Sequence, residues 1–199
     1  MKPAKKIPAA LRLTRDDWLD AAFKAVVEAG FKNIRVLVLA DQLGVTRGSF
    51  YWHFADHAEL VSALLTRWRE RELEQDRRLR SDLLADPQAD LERLLEVALS
   101  HGGEDLEIMR FELALRGLGR RDSAVASMLI EVDQTRMHLF ESKFLRLCHD
   151  SKKAHELASL FYLALVGSFQ ALSRPGNSPQ LKNHLKSIIA NYLIHQQAG

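Results

Sequence analysis

Apolar residues recur at three- and four-residue intervals along most of the chain, which is the spacing of one face of an α-helix. The first such stretch contains Leu19, Ala22, Phe23, Val26 and Val27. Thr14 and Asp17 precede it in the arrangement of a capping box. Gly30 follows it, at a position where a helix commonly ends in a left-handed residue. The pattern predicts a first helix at about 15–29.

The run Val36–Ala40 is apolar throughout, so its periodicity alone fits a buried strand as well as a short helix. No alternating partner strand follows it. Gly44 instead suits a turn, because glycine adopts left-handed backbone angles without steric cost. Thr46 is a candidate N-cap for a further helix at about 47–54. The sequence therefore predicts two helices joined by a glycine-containing turn over residues 36–54.

The rest of the chain favours longer helices, because its prolines lie only at 3, 8, 87, 175 and 179. Further helices are predicted at about 57–84, 88–101, 104–118, 122–149, 152–173 and 178–196. No convincing strand or internal repeat is present. We expect an all-α fold, with an N-terminal three-helix helix-turn-helix domain at residues 1–57 and a larger helical domain at residues 58–199.

The helix-turn-helix pattern also predicts which side chains face outward. Ala40 lies where the two helices cross, and Leu39, Leu43 and Val45 are expected in the core. If Phe50 and Phe54 both face inward at i and i+4, the opposite side of the second helix is exposed. That side carries Arg47, Gly48, Ser49, Trp52 and His53.

Charge and composition narrow the class of protein. The 199 residues are 47% hydrophobic and 27% charged, which excludes disorder for most of the chain. Residues 1–57 hold nine Lys or Arg against six acids, and residues 1–15 hold five cations and no anion. Such an arm is attracted to polyanions. A single cysteine and a basic N-terminus without a following apolar stretch predict a cytoplasmic protein.

The segment Gly44–Phe54 resembles the recognition segment of TetR-family transcriptional regulators, and the resemblance extends over about residues 12–68. It implies a homodimer in which each subunit's helix-turn-helix binds half of a palindromic double-stranded DNA operator. It also implies a larger helical domain that carries the dimer interface and a pocket for a small effector. A repressor released by that effector is the expected function.

Carried over by position, the resemblance assigns phosphate contacts to Thr46, Tyr51 and His53. It assigns base-edge or phosphate contacts to Arg47, Ser49 and Trp52, with Gly48 allowing close approach. Two positions depart from the family pattern. His57 stands where the family usually has a phosphate-binding lysine, so we expect a contact that is weaker or pH-dependent. Arg35 stands where Ser or Thr is usual, and it is a candidate phosphate donor in their place.

The sequence patterns of the second domain are less specific than those of the helix-turn-helix. Its charge run at residues 67–80 is expected to be a solvated face with the i, i+4 pairs Glu74–Arg78 and Asp76–Arg80. Residues 157–172 are apolar nearly all round but too short to span a bilayer, so we expect burial by protein and no membrane partner. The last two helices, joined at Pro175–Gly176, are expected to form a four-helix dimer interface. Its candidates are Leu160, Ala164, Gly167, Ala171, Leu185, Ile188, Ile189 and Tyr192.

The effector pocket is predicted from large side chains near the centre of this domain, for which ordinary core packing is the alternative. They are Trp68, Met109, Phe111, Met128 and Phe140, and their character favours a hydrophobic or aromatic effector.

Other functions are less well supported. No nucleophile elbow, glycine-rich phosphate loop or HExxH motif is present, so we expect neither catalysis nor a cofactor. His53 and His57 are spaced as metal ligands are, but they have no third ligand nearby and no metal is expected. A helical protein–protein adaptor without DNA binding is the alternative.

Overall fold

The computed structural model describes residues 13–99, 104–173 and 179–197. Every regular element within those ranges is helical, which confirms the all-α prediction. The chain divides into two compact units, Met1–Arg67 and Trp68–Gly199. The division falls within a long helix, later in the chain than the expected boundary after residue 57. Most of the basic arm, residues 1–12, lies outside the described residues.

The first unit is built from short helices. They are α1 (Arg15–Ala29), a 3-10 turn (Phe31–Asn33), α2 (Val36–Gln42), α3 (Arg47–Phe50) and the beginning of α4 (His57–Ser81). The capping box at the start of α1 forms as predicted: Thr14 Oγ1 accepts from the Asp17 amide, and the Asp17 carboxylate accepts from the Thr14 amide. At its other end Gly30 has φ 80°, a positive value that favours glycine as predicted, although its ψ of 172° departs from that of a left-handed helical residue.

Helix α3 is shorter than predicted, ending at Phe50 instead of residue 54. The next amides bond over three residues: Trp52 N–H donates to Ser49 and His53 N–H donates to Phe50. This tighter winding is typical of a helix terminus. It still returns Phe54 to the core, because the Phe54 amide also donates to the Phe50 carbonyl at 3.1 Å.

The second unit contains the remainder of α4 and the long helices that follow it. These are α5 (Pro87–Leu99), α6 (Glu104–Gly119), α7 (Ser123–Cys148), α8 (Ser151–Leu172) and α9 (Pro179–Ile189). Phe161 of α8 lies at the centre of its core, with ring centroids 5.0 Å from Phe140 and 5.7 Å from Phe144. None of the described helices combines the length and apolarity needed to cross a membrane. The predicted Pro175–Gly176 junction lies outside the described residues.

The last helix departs from the prediction, because α9 gives way to a π-helical turn, Ala190–Ile194, and a short 3-10 turn, His195–Gln197. A π-turn closes hydrogen bonds over five residues, so side chains five positions apart come onto one side. Ile189 and Ile194 are both buried as a result. For Ile189 the predicted dimer contact is therefore wrong, since its side chain is packed inside its own unit.

The charge run in α4 is only partly solvated. The predicted pair of Glu74 and Arg78 forms, with Oε1 and Nε 3.0 Å apart. Glu72 and Asp76, however, are buried, which corrects the prediction of a solvated face. Both continue the four-residue spacing of Leu60, Leu64 and Trp68, and that spacing directs them into the interior.

Candidate nucleic-acid interface

The turn between α2 and α3 has the geometry that the sequence predicts. Gly44 has φ +67°, the left-handed region that favours glycine. The Gly44 amide donates to the Asp41 carbonyl and the Val45 amide donates to the Ala40 carbonyl. Ala40 is buried where the helices meet, whereas Leu43 and Val45 are half-buried rather than fully in the core. These bonds fix the direction in which α3 leaves the turn.

Aromatic packing holds α3 from beneath. Phe50 and Phe54 are buried and stack with centroids 5.4 Å apart, and Trp18 of α1 meets Phe50 edge-on at 5.3 Å. Burial of such side chains stabilises the unit by about 1.5–3 kcal/mol each. Because both phenylalanines point inward, the opposite side of α3 and of the turn after it faces solvent.

The outward side carries the residues predicted to meet nucleic acid. Trp52 is 86% exposed, and Tyr51, Arg47 and Gly48 are also exposed. Arg47 Nη2 donates to Tyr51 Oη at 2.8 Å, and its guanidinium lies 5.7 Å from the centroid of that ring. Ser49 and His53 are half-buried on the same segment. The arginine is therefore held in position while it remains accessible.

Arg15 fixes the turn after α3, a role that sequence reasoning missed. Its Nη1 donates to the His53 carbonyl and to Glu59 Oε1, both at 3.0 Å, and its guanidinium lies 4.4 Å from the Phe54 ring centroid. Glu59 Oε2 in turn accepts from the Ala55 amide at 2.7 Å. The Ala55 amide and Arg15 together lower the pKa of Glu59. Only the tertiary fold brings these residues together.

Three further candidates lie at the helix beginnings. Arg35 is exposed and forms the N-cap of α2, and Thr46 forms the N-cap of α3, in both cases without a side-chain capping bond. His57 is already engaged: its Nε2 lies 2.9 Å from the Ile34 carbonyl oxygen. A carbonyl can only accept, so Nε2 carries the proton in this contact. On α2, Leu37 is 64% exposed beside Arg35, an apolar side chain that sequence reasoning did not assign to the interface.

Comparison with known proteins agrees with this geometry. Residues 19–64 match the family model described as bacterial regulatory proteins, tetR family. The match contains α2, the turn and α3. This unit is a TetR-family helix-turn-helix domain.

Sequence relatives of this TetR-family domain are themselves regulators. The HTH-type transcriptional regulator TtgR of Pseudomonas putida is 37% identical over 82 residues, which are 41% of this chain and 39% of the relative. The HTH-type transcriptional regulator AcrR of Shigella flexneri is 34% identical over 61 residues, 31% of this chain and 28% of the relative. The chain thus aligns with less than half the length of these curated relatives.

Solved structures share the fold over nearly the whole chain. A transcriptional regulator from Rhodococcus sp. Rha1 has a TM-score of 0.76 at 16% identity and covers 94% of this chain and 99% of its own. A structure from Saccharomonospora viridis, determined in complex with choline, has a TM-score of 0.73 at 17% identity, covering 91% and 95%. At these identities the likeness concerns the fold.

The second unit presents much of the predicted dimer surface to solvent. Leu160, Gly167, Ile188 and Tyr192 are exposed, and Ala164, Ala171 and Leu185 are half-buried. Leu163, which the sequence reasoning left out, is 65% exposed. Leu160, Leu163 and Gly167 follow each other at helical spacing, so they share one side of α8.

A cavity of about 90 Å³ lies inside the second unit. Of the predicted effector contacts, Met109 and Phe140 line it. Trp68 and Phe111 are buried and Met128 is half-buried, and none of the three lines this cavity.

The cavity walls combine apolar and charged groups. The apolar part consists of Leu79, Leu94, Val97, Ala98, Ile108, Met109, Phe140, Leu165 and Phe169. Glu72, Asp76, Glu112 and Arg136 also line it, and all four are buried. Burial is the largest influence on the pKa of Glu112, but Arg136 and Arg116 outweigh it and lower that pKa. For Glu72 and Asp76 the effect of burial prevails and the pKa is raised.

Proposed function

We propose that this chain is a cytoplasmic DNA-binding transcriptional regulator. Two copies form a homodimer, and each presents α3 to one half of a palindromic operator. A small effector with a largely apolar body binds in the second unit and favours a state that releases the operator, so that the protein acts as a repressor.

The observation that carries this proposal is the exposed group of Arg47, Tyr51 and Trp52 above a rigid aromatic core. A tryptophan that is 86% exposed contributes little to folding. A helix N-terminus with accessible polar residues is the element that helix-turn-helix proteins insert into the major groove. Arginine held in one orientation suits bidentate hydrogen bonding to the O6 and N7 atoms of guanine.

The direct test is operator binding. A duplex obtained by selection with the purified protein is titrated by fluorescence anisotropy against a scrambled duplex of equal length. We expect Arg47→Ala to weaken binding to the selected duplex by about 1–3 kcal/mol and to affect the scrambled duplex far less. Lys24→Ala is the matched control, because it removes an exposed cation from α1 instead of α3. Equal losses on both duplexes would reduce Arg47 to a phosphate contact.

Salt dependence separates this function from that of a protein–protein adaptor. A DNA-binding protein releases counterions from the phosphates it contacts, so its affinity falls steeply as salt rises. An adaptor that binds through apolar helices lacks this steep dependence. Absence of any selected duplex, together with a flat salt response, would exclude the proposal.

The exposed side of α8 supports the homodimer. Leu160 is 53% exposed there, and an arginine at this position would place a charge in an apolar interface. We expect Leu160→Arg to give a monomer by light scattering at micromolar concentration, with lower operator affinity. Ile130→Arg is the matched control, because Ile130 is similarly exposed but lies on α7. A wild-type monomer would rule out the dimer.

A further inference from the structure

Asp76, which lines the cavity of the second unit, is a buried acid whose charge is not fully paired by hydrogen bonds. It is only 6% exposed, and its Oδ2 has no hydrogen-bond partner among the described residues. A buried polar atom without a partner costs about as much as a lost hydrogen bond, and more when the group is charged. Asp76 therefore provides a carboxylate acceptor beside a space large enough for a few atoms.

The guanidiniums nearest to Asp76 donate their hydrogen bonds to other carboxylates. Arg136 donates to Glu72 Oε2 at 2.5 Å and to both oxygens of Glu112 at 2.9 and 3.0 Å. Arg116 donates to Glu112 and to both oxygens of Asp133. The cluster of Glu72, Asp76, Glu112, Arg116, Asp133 and Arg136 thus holds four carboxylates and two guanidiniums, and the guanidiniums bond the other three acids.

Asp90, another buried aspartate in this unit, shows the contrast. Its carboxylate accepts from Lys143 Nζ at 2.9 Å on both oxygens and from Arg146 Nη1 at 2.6 Å. The fold therefore supplies buried cations where it uses a buried aspartate for its own structure. At Asp76, by contrast, no cation in the described part of the chain donates a hydrogen bond to Oδ2.

The other residues that line the cavity indicate which kind of cation it can bind. Phe140 and Phe169 contribute aromatic rings, and Leu94 and Leu165 contribute aliphatic surface. An ammonium group is stabilised near aromatic rings, and the carbon chain of an organic ammonium ion is compatible with the aliphatic surface. A metal ion suits this site less well, since within the described ranges no three His, Cys, Asp or Glu side chains are arranged to hold one.

We propose that the cavity binds a small organic cation of the primary alkylamine class, whose nitrogen donates to the Asp76 carboxylate near the aromatic rings while its carbon chain lies against Leu94 and Leu165. This assignment rests on the proposed function, because it names the chemical class of the effector. The sequence predicts a mostly apolar effector, and this assignment adds a positively charged amino group to it.

The test compares n-butylamine with butan-1-ol, which have nearly the same shape but differ in charge. Each is titrated into the full-length protein by calorimetry at neutral pH, without DNA. We expect the amine to bind about tenfold tighter or more, the range of a charge-assisted hydrogen bond. Asp76→Asn should remove this preference. Glu70→Gln is the matched control, because Glu70 is an exposed acid on the same helix.

A second readout needs no variant. Burial raises the pKa of Asp76 to about 6, with Arg136, Glu72, Arg80 and Glu112 as the charged groups that act on it. Amine affinity should therefore fall as the pH is lowered through 6, while the affinity for butan-1-ol should stay constant. Failure of both probes to bind, equal affinities, or a pH-independent amine affinity would each overturn the assignment. Operator binding is measured separately, so either proposal can fail alone.

Discussion

Replacing Asp76 by asparagine removes a buried negative charge from the second unit and keeps the shape of the side chain. Burial is the main reason that the pKa of Asp76 is raised, from 3.8 to about 6. The folded protein therefore binds this proton more tightly than the unfolded chain does. The contribution of Asp76 to stability is most favourable below pH about 4 and is lost as the pH rises towards about 6.

The size of the effect follows from the shift. About two pH units correspond to roughly 3 kcal/mol at neutral pH, which is an upper limit because the surroundings can relax. The asparagine amide is still a buried polar group, but so is the protonated acid with which it is compared. We therefore expect Asp76→Asn to raise the free energy of unfolding by about 1–3 kcal/mol at pH 7.5, and by little at pH 4.

The assay is urea unfolding followed by circular dichroism on dialysed protein at both pH values, with thermal melts beside it. A gain of 1 kcal/mol should raise the melting temperature by about 2–4 °C in a protein of this size. Glu70→Gln, which removes an exposed charge, should stay within about 0.5 kcal/mol of the wild type. A variant less stable than the wild type at pH 7.5, or an equal gain at both pH values, would refute the reasoning.

Three further predictions concern the first unit. Gly44→Ala should destabilise it by about 1–2 kcal/mol in urea unfolding because of its positive φ, whereas Gly48→Ala, whose added Cβ meets nothing closer than 3.6 Å, should be neutral or slightly stabilising. A neutral Gly44→Ala would contradict the turn geometry. Trp52→Ala should change stability by less than about 0.5 kcal/mol and weaken operator binding in anisotropy titrations; unaffected binding would remove Trp52 from the interface. His57→Lys should lose the bond to Ile34, costing about 0.5–1.5 kcal/mol, and steepen the logarithmic salt slope of DNA binding by about one. An unchanged slope would show that the new cation is remote from phosphate.

The helices and the turn of the first unit could be predicted because each depends on residues that are close together in the sequence. The bounds of α1 follow from Thr14 and Gly30, which act on adjacent backbone groups, and the left-handed turn follows from Gly44 alone. Burial of Phe50 and Phe54 at i and i+4 then determines which side chains of α3 face outward. The prediction for the end of α3 was wrong because Trp52 and His53 bond over three residues, while the Phe54 amide still bonds to Phe50 over four; apolar periodicity does not distinguish this from a continuing helix.

The charged cluster could not be predicted in the same way, since its members come from α4, α6 and α7. An acid in a charge run is normally solvated, and Glu74 follows that rule. Glu72 is buried only because Arg136, 64 positions later, supplies its counter-charge. The one local signal was the continuation of the Leu60, Leu64 and Trp68 spacing to positions 72 and 76, which indicated an inward-facing side before any partner was known.

Trp52 and Asp76 share a property that connects the two proposed sites. Neither side chain lies where it would contribute most to stability. The exposed indole of Trp52 gains little from burial, and the buried carboxylate of Asp76 has an oxygen without a hydrogen-bond partner, which is destabilising. Each lies among groups that are well satisfied: Arg47 bonded to Tyr51 in the first unit, and Arg136 bonded to Glu72 and Glu112 in the second. Residues that do not favour the fold are expected at positions where a protein binds another molecule. The stability assays thus bear on function, because a binding residue should be replaceable with little loss of stability, or with a gain.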